Sequence, residues 1–200
     1  MQTPRYSGKG FYAEKGSRFL GFLYPLKYTV DTKTALNTLD LRYKDATHIC
    51  HASRFYDQEK GTIIELNSDA GEPAGTAGEP ILRQLQKNDI INSALYVVRY
   101  FGGIKLGKGG LARAYSTCAA QTIIETALQP FILMDRFSLT MDIHHISKVR
   151  YIVNKTGGKV EKQINGKNVQ LEVIIPKEKV LSFKDVARSI TSGKIIFSDE

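Results

Sequence analysis

Ser68–Leu85 reads S-D-A-G-E-P-A-G-T-A-G-E-P-I-L-R-Q-L, and Ala94–Ser116 reads A-L-Y-V-V-R-Y-F-G-G-I-K-L-G-K-G-G-L-A-R-A-Y-S. Each segment carries a glycine-rich loop followed by a helical pattern. The first loop is acidic, with Asp69, Glu72 and Glu79 and no basic residue across 67–79. The second is basic, with Lys105 and Lys108 among the glycines of 102–110. Between them, residues 94–101 form an apolar run with no polar face across 95–98, which predicts a central strand. Two loops that both join strands to helices can lie at one edge of one sheet, where their opposite charges would meet.

Working outward, the periodicity predicts a strand at 18–24 ended by Pro25. A helix capped by Asp31 follows, with Ala35, Leu36, Leu39 and Tyr43 at helical spacing. Strands are expected at 47–56 and 62–66, joined through Lys60-Gly61. Thr76 or Gly78 would cap the helix that ends at Asn88-Asp89, with Pro80 in its first turn, where a missing N–H costs nothing. A long helix over 111–128 presents Leu111, Ala114, Tyr115, Cys118, Ala119 and Ile123 as a packing stripe. Gln129-Pro130 divides the chain into two expected domains, 1–130 and 131–200. The second reads strand 136–143, helix 146–155, strand 159–164, Asn165-Gly166, strand 168–175, helix 177–190 and strand 195–197, the βαββαβ order of a ferredoxin-like fold. The fold class expected is therefore α+β.

The chain has 200 residues, 42% hydrophobic and 24% charged, ordinary values for a soluble globular protein. No apolar run has the length of a membrane span. The N-terminus lacks the apolar segment of a signal peptide. Cys50 and Cys118 show no metal or redox spacing, so a reduced, cytoplasmic protein with no membrane association is the expectation. The net charge of +8 favours a polyanionic partner, and 136–200 is the more basic part, with twelve Lys and Arg against seven Asp and Glu.

The second loop matches the phosphate-binding pattern at Gly102, Gly107 and Lys108, but Gly109 stands where a hydroxyl should ligate magnesium. A looser reading has free N–H groups at the helix start, with Lys108 and Arg113, holding a phosphate or carboxylate. The alternative is that the glycines serve only a tight turn. The acidic loop lacks cation-binding spacing, so Asp69 and Glu72 are read as making turn or capping bonds, or as pairing with the basic loop. His48 and His51 face opposite sides of a strand and share no metal, and His144-His145 sits at a helix start on the surface. Cys118 is read as core. No nucleophile signature appears. Arg18-Phe19, Arg54-Phe55-Tyr56 and Arg99-Tyr100-Phe101 could stack on bases. The ordinary expectation for such pairs is a buried ring beside a solvated Arg.

E-P-A-G-T-A-G (72–78), R-Y-F-G-G-I (99–104), L-G-K-G-G-L (106–111) and R-A-Y (113–115) together resemble the IMPACT/YigZ family. Lys15–Phe19 and His48-x-Cys50-x-Ala52-x-Arg54 are similar to weaker features of it. The resemblance implies an N-terminal two-layer α/β domain like a ribosomal-protein domain and domain four of elongation factor G. It also implies a C-terminal domain like domain five of that factor. It further implies a protein that faces RNA or the ribosome in translation regulation, with no catalysis of its own and no cofactor. The residues expected to hold the anion or nucleic acid are Arg99, Gly102, Gly103, Lys105, Gly107, Lys108, Gly109, Gly110 and Arg113. The family-motif loop contributes Asp69, Glu72, Pro73, Gly75, Thr76 and Gly78. Two alternatives stand beside this: a protein acting on a phosphorylated small molecule in the crevice between the loops, and a protein-interaction module.

Overall fold

A computed structural model describes residues 1–26, 31–58 and 60–199, with the Asp199 side chain left aside. The chain is α+β and divides into two compact units, Met1–Phe131 and Ile132–Glu200.

Unit one is built on a five-stranded antiparallel sheet in the order β2-β3-β6-β4-β5: Gly8–Glu14, Ser17–Pro25, Ser93–Tyr100, His48–Asp57 and Thr62–Ser68. β6 is the central strand, and every residue from Ser93 to Arg99 is buried. Its unbroken apolar run is explained by cover on both faces. On one face, helices α2 (Gly78–Lys87) and α3 (Gly107–Ile124) pack on Phe19, Leu23, Cys50, Ala52, Leu95 and Val97. Burying each large apolar side chain there contributes about 1.5–3 kcal/mol. On the other face, α1 (Asp31–Arg42) sets Leu39 against Phe22, Ile49, Tyr96 and Val98, adding a layer beyond sheet, α2 and α3. A short pair, β1 (Gln2–Pro4) with β7 (Leu128–Pro130), brings together the two ends of the unit.

β2 is a strand that the sequence pattern did not suggest. Its inward positions include Gly8 and Gly10, which let α3 approach so closely that a Cβ at Gly10 would stand 2.7 Å from the Thr122 Cα. α3 also begins earlier than expected, at Gly107 rather than Leu111, and ends at Ile124. Gly107, Gly109 and Gly110, read as loop, fall in its first turn.

Unit two has strands β8 (Met134–Met141), β9 (Lys159–Asn165), β10 (Val169–Pro176) and β11 (Ile196–Asp199), with helices α4 (Ile146–Lys155) and α5 (Val180–Ile190). The antiparallel order β11-β8-β10-β9 is the ferredoxin-like arrangement. Val169, Leu171, Val173 and Ile175 alternate inward along β10 and meet Val149, Val153 and Phe183 of the helices.

Candidate functional site

The loop between β5 and α2 is organised by Asp69. Its carboxylate accepts the N–H groups of Gly75, Ala77 and Gly78 at 2.8, 2.9 and 2.9 Å. The last two are donors at the start of α2, so Asp69 caps that helix from outside it. The Ala77 cap position makes no side-chain bond, and Thr76 bonds Pro73 O at 2.6 Å. Partial burial disfavours the Asp69 charge, but the three backbone donors outweigh it and hold the carboxyl below its ordinary range.

Glu72 turns inward from the same loop and is buried. Arg99 Nη1 and Tyr115 Oη, the latter at 2.8 Å, both donate to Oε1. This network ties the acidic loop to β6 and α3. Arg99 is only 5% exposed. Its guanidinium lies 5.6 Å from the ring centres of both Phe19 and Phe101, and its Nε has no hydrogen-bond partner among the described residues. Beneath it the Cys50 thiol donates to Asp69 O at 3.0 Å, with the Tyr115 hydroxyl 3.3 Å from the sulfur. Burial, chiefly, pushes Cys50 up to about 12, and burial, then Cys50 and Glu72, push Tyr115 up as well. Both groups stay protonated at neutral pH, so neither supplies a nucleophile.

The basic loop is held at its start by close backbone approach. Gly102 N donates to Ser17 Oγ at 3.1 Å, and a Cβ on Gly102 would sit 1.9 Å from the Gly16 carbonyl carbon. α3 then opens with no side-chain cap and no acidic residue in its first turn. Its initial N–H groups carry the positive end of the helix dipole.

The two loops meet around a cavity of about 420 Å³. Glu72, Pro73, Arg99, Lys105, Gly107 and Lys108 line it, together with Thr47, His48, Phe101, Leu106 and Leu111. Lys105 and Lys108 are exposed at its rim, and among the described residues neither has an ion-pair partner. The acidic loop's partner is thus Arg99 on β6, not a lysine of the basic loop. Asp69, Gly75, Thr76 and Gly78 of the first motif, and Gly102, Gly103, Gly109 and Gly110 of the second, are not among the residues that line the cavity. Arg113 lines a separate groove of about 370 Å³ between α2 and α3, with Arg83, Gln84 and Ser116. Sequence reasoning did not place Thr47 and His48 at the site. They arrive there because β4 pairs with β6 so that His48 stands opposite Arg99, a register no local pattern announces. Phe101 reverses the ordinary expectation for its dipeptide context: the Arg is buried and the ring is 46% exposed.

On the α1 side of the sheet lies a larger hollow, about 540 Å³, lined by Asp40, Tyr43, Lys44, His48 and His51 among others. His51 is half-buried, its ring lies tilted against Tyr96 with centres 5.3 Å apart, and its pKa is shifted down chiefly by burial. No group of three or more His, Cys, Asp or Glu among the described residues is placed to hold a metal.

Comparison with known proteins gives consistent results. The profile described as Impact N-terminal domain matches residues 15–123. The IMPACT family member YvyE of Bacillus subtilis (strain 168) is 27% identical over 192 residues, 96% of this chain and 87% of that protein. The IMPACT family member YigZ of Escherichia coli (strain K12) is 29% identical over 181 residues, 90% of this chain and 88% of that one. A crystal structure of a hypothetical protein superposes with a TM-score of 0.71 at 27% identity, covering 100% of this chain and 96% of the other.

Proposed function

The chain belongs to the IMPACT/YigZ family, and from that membership we propose that it is a translation-regulating protein that binds RNA or the ribosome and performs no catalysis of its own. The observation that carries this reading is the electrostatic construction of the cavity rim. Lys105 and Lys108 project there without ion-pair partners among the described residues, beside the uncapped start of α3. That arrangement suits the phosphates of a nucleic acid backbone. The net charge of +8 acts in the same direction over longer range.

A filter-binding titration with structured RNA across a salt series tests it. A dissociation constant on the order of 10⁻⁶ M at low salt, weakening steeply as salt rises, is expected. Exchanging Lys108 for Ala should reduce the salt slope by about one. Absence of binding at low salt would sink the proposal.

The cavity itself favours a second reading. Its volume of about 420 Å³ lies within the roughly 300–1,000 Å³ of small-ligand pockets, and polar groups converge on mostly apolar walls. A phosphorylated small molecule would fit that description. Titration with inorganic pyrophosphate separates the two: saturable one-to-one binding that RNA does not compete away favours the small molecule.

A further inference from the structure

We infer that the cavity between the two loops is a receptacle for one unstacked base of single-stranded RNA, which stacks on Phe101 while its flanking phosphates lie on Lys105 and Lys108. The inference rests on the RNA-binding reading above and specifies which form of RNA is bound.

Phe101 is 46% exposed, whereas Phe19, in contact with the same guanidinium, is fully buried. A phenyl ring held half in solvent at the mouth of a cavity offers one face to a ligand. Base–aromatic stacking is tolerant of sequence because every base has a π-face. Arg99 backs the ring, fixed by its bond to Glu72, so the platform is already ordered before a ligand arrives.

Charge is sorted by burial. Glu72 is buried where it lines the cavity, and its Oε1 already receives Arg99 and Tyr115. That Glu72–Arg99 pair leaves the floor with no net charge to hold a phosphate. A base edge, itself uncharged, loses nothing there. Lys105 and Lys108, exposed at the rim, are where a phosphate is stabilised. Leu106, Leu111 and Pro73 supply the apolar walls a flat heterocycle needs. A base directed inward with its phosphates outward sets the heterocycle on the apolar walls and the phosphates on the lysines. A free phosphate on the floor leaves those walls without an apolar partner.

A duplex does not fit such a receptacle. Bases within a helix are stacked on each other, and a pocket reaches one only if it is unpaired or extruded.

The test compares the full chain with its Phe101→Ala, Phe101→Leu and Phe101→Trp variants. The probes are a single-stranded RNA of about ten nucleotides, within the usual site size, and the same sequence as a duplex. The wild-type protein should bind the single strand about tenfold or more tightly over the duplex. Phe101→Ala and Phe101→Leu should each weaken single-strand binding about tenfold, the loss of one stacked base, with the salt slope unchanged. Phe101→Trp should bind at least as well as wild type. The leucine variant keeps apolar bulk, so a loss shared by both variants reports stacking and not collapse of the rim. Equal binding of duplex and single strand, or unchanged affinity in Phe101→Ala and Phe101→Leu, overturns the inference while leaving RNA binding intact. Failure of the wild-type protein to bind either probe at low salt overturns both readings.

Discussion

Glu72 and Arg99 are the residues on which the two loops depend, and their energetics follow from burial. Each is a charge held away from water and neutralised by the other. Removing one partner leaves an uncompensated buried charge, which costs about 3–5 kcal/mol. Glu72→Gln and Arg99→Met should therefore each lower stability by an amount of that order in urea unfolding. The double variant should lose clearly less than the sum, because the second change removes the stranded charge. Additive losses would mean the pair is not coupled. Asp69 acts differently, through backbone donors. Asp69→Asn keeps one acceptor oxygen for the N–H groups of Ala77 and Gly78 but leaves that of Gly75 without one, so it should cost about 1 kcal/mol, the net worth of a hydrogen bond. The fold holds this carboxyl below its ordinary value of 3.8. Its contribution is therefore complete above that value and disappears as pH falls through the lower value in the folded state. The wild-type stability curve should fall over that acid window, and the Asp69→Asn curve should be flatter there.

At the scale of elements, the glycines of the second loop divide into two kinds that only the structure separates. A Cβ on Gly102 would collide with main-chain atoms, the Gly16 carbonyl carbon at 1.9 Å and the Ser17 nitrogen at 2.1 Å. Backbone cannot yield as a flexible side chain can, so Gly102→Ala should destabilise by about 3 kcal/mol. Gly109 lies within the first turn of α3, and the nearest atom to its Cβ would be Arg113 Nη1 at 3.6 Å. Gly109→Ala should therefore stabilise by about 0.5–1 kcal/mol through helix propensity. Thermal melts of both variants check the opposite signs. The same elements show what sequence could and could not reveal. β6 was legible because its five consecutive buried residues 94–98 leave an apolar signature with no polar face. β2 was not, because the inward positions that should carry that signature include Gly8 and Gly10, kept bare for Thr126, just past the end of α3, and for Thr122 of α3. The start of α3 was hidden by glycines that read as loop. The candidate site was half legible: the loops announced themselves, but Arg99 bonds a residue 27 positions away, and nothing local to R-Y-F marks the arginine as buried and the phenylalanine as exposed.

At the scale of the molecule, each unit closes its own core. Residues 132–200 bury Phe137, Leu139, Leu171, Val173 and Phe183 among themselves. A fragment of those residues should unfold cooperatively in urea by itself, with the modest stability of so small a domain. A gradual, non-cooperative loss of circular dichroism would show that it depends on the rest of the chain. Within unit one, the division between floor and rim has a consequence for descent with modification. Glu72, Arg99 and Tyr115 belong to the interior, so altering them endangers the architecture. Phe101, Lys105 and Lys108 are exposed and hold up little of it. A lineage can therefore exchange the rim and retarget the cavity while the fold persists, so that ligand preference drifts faster than shape.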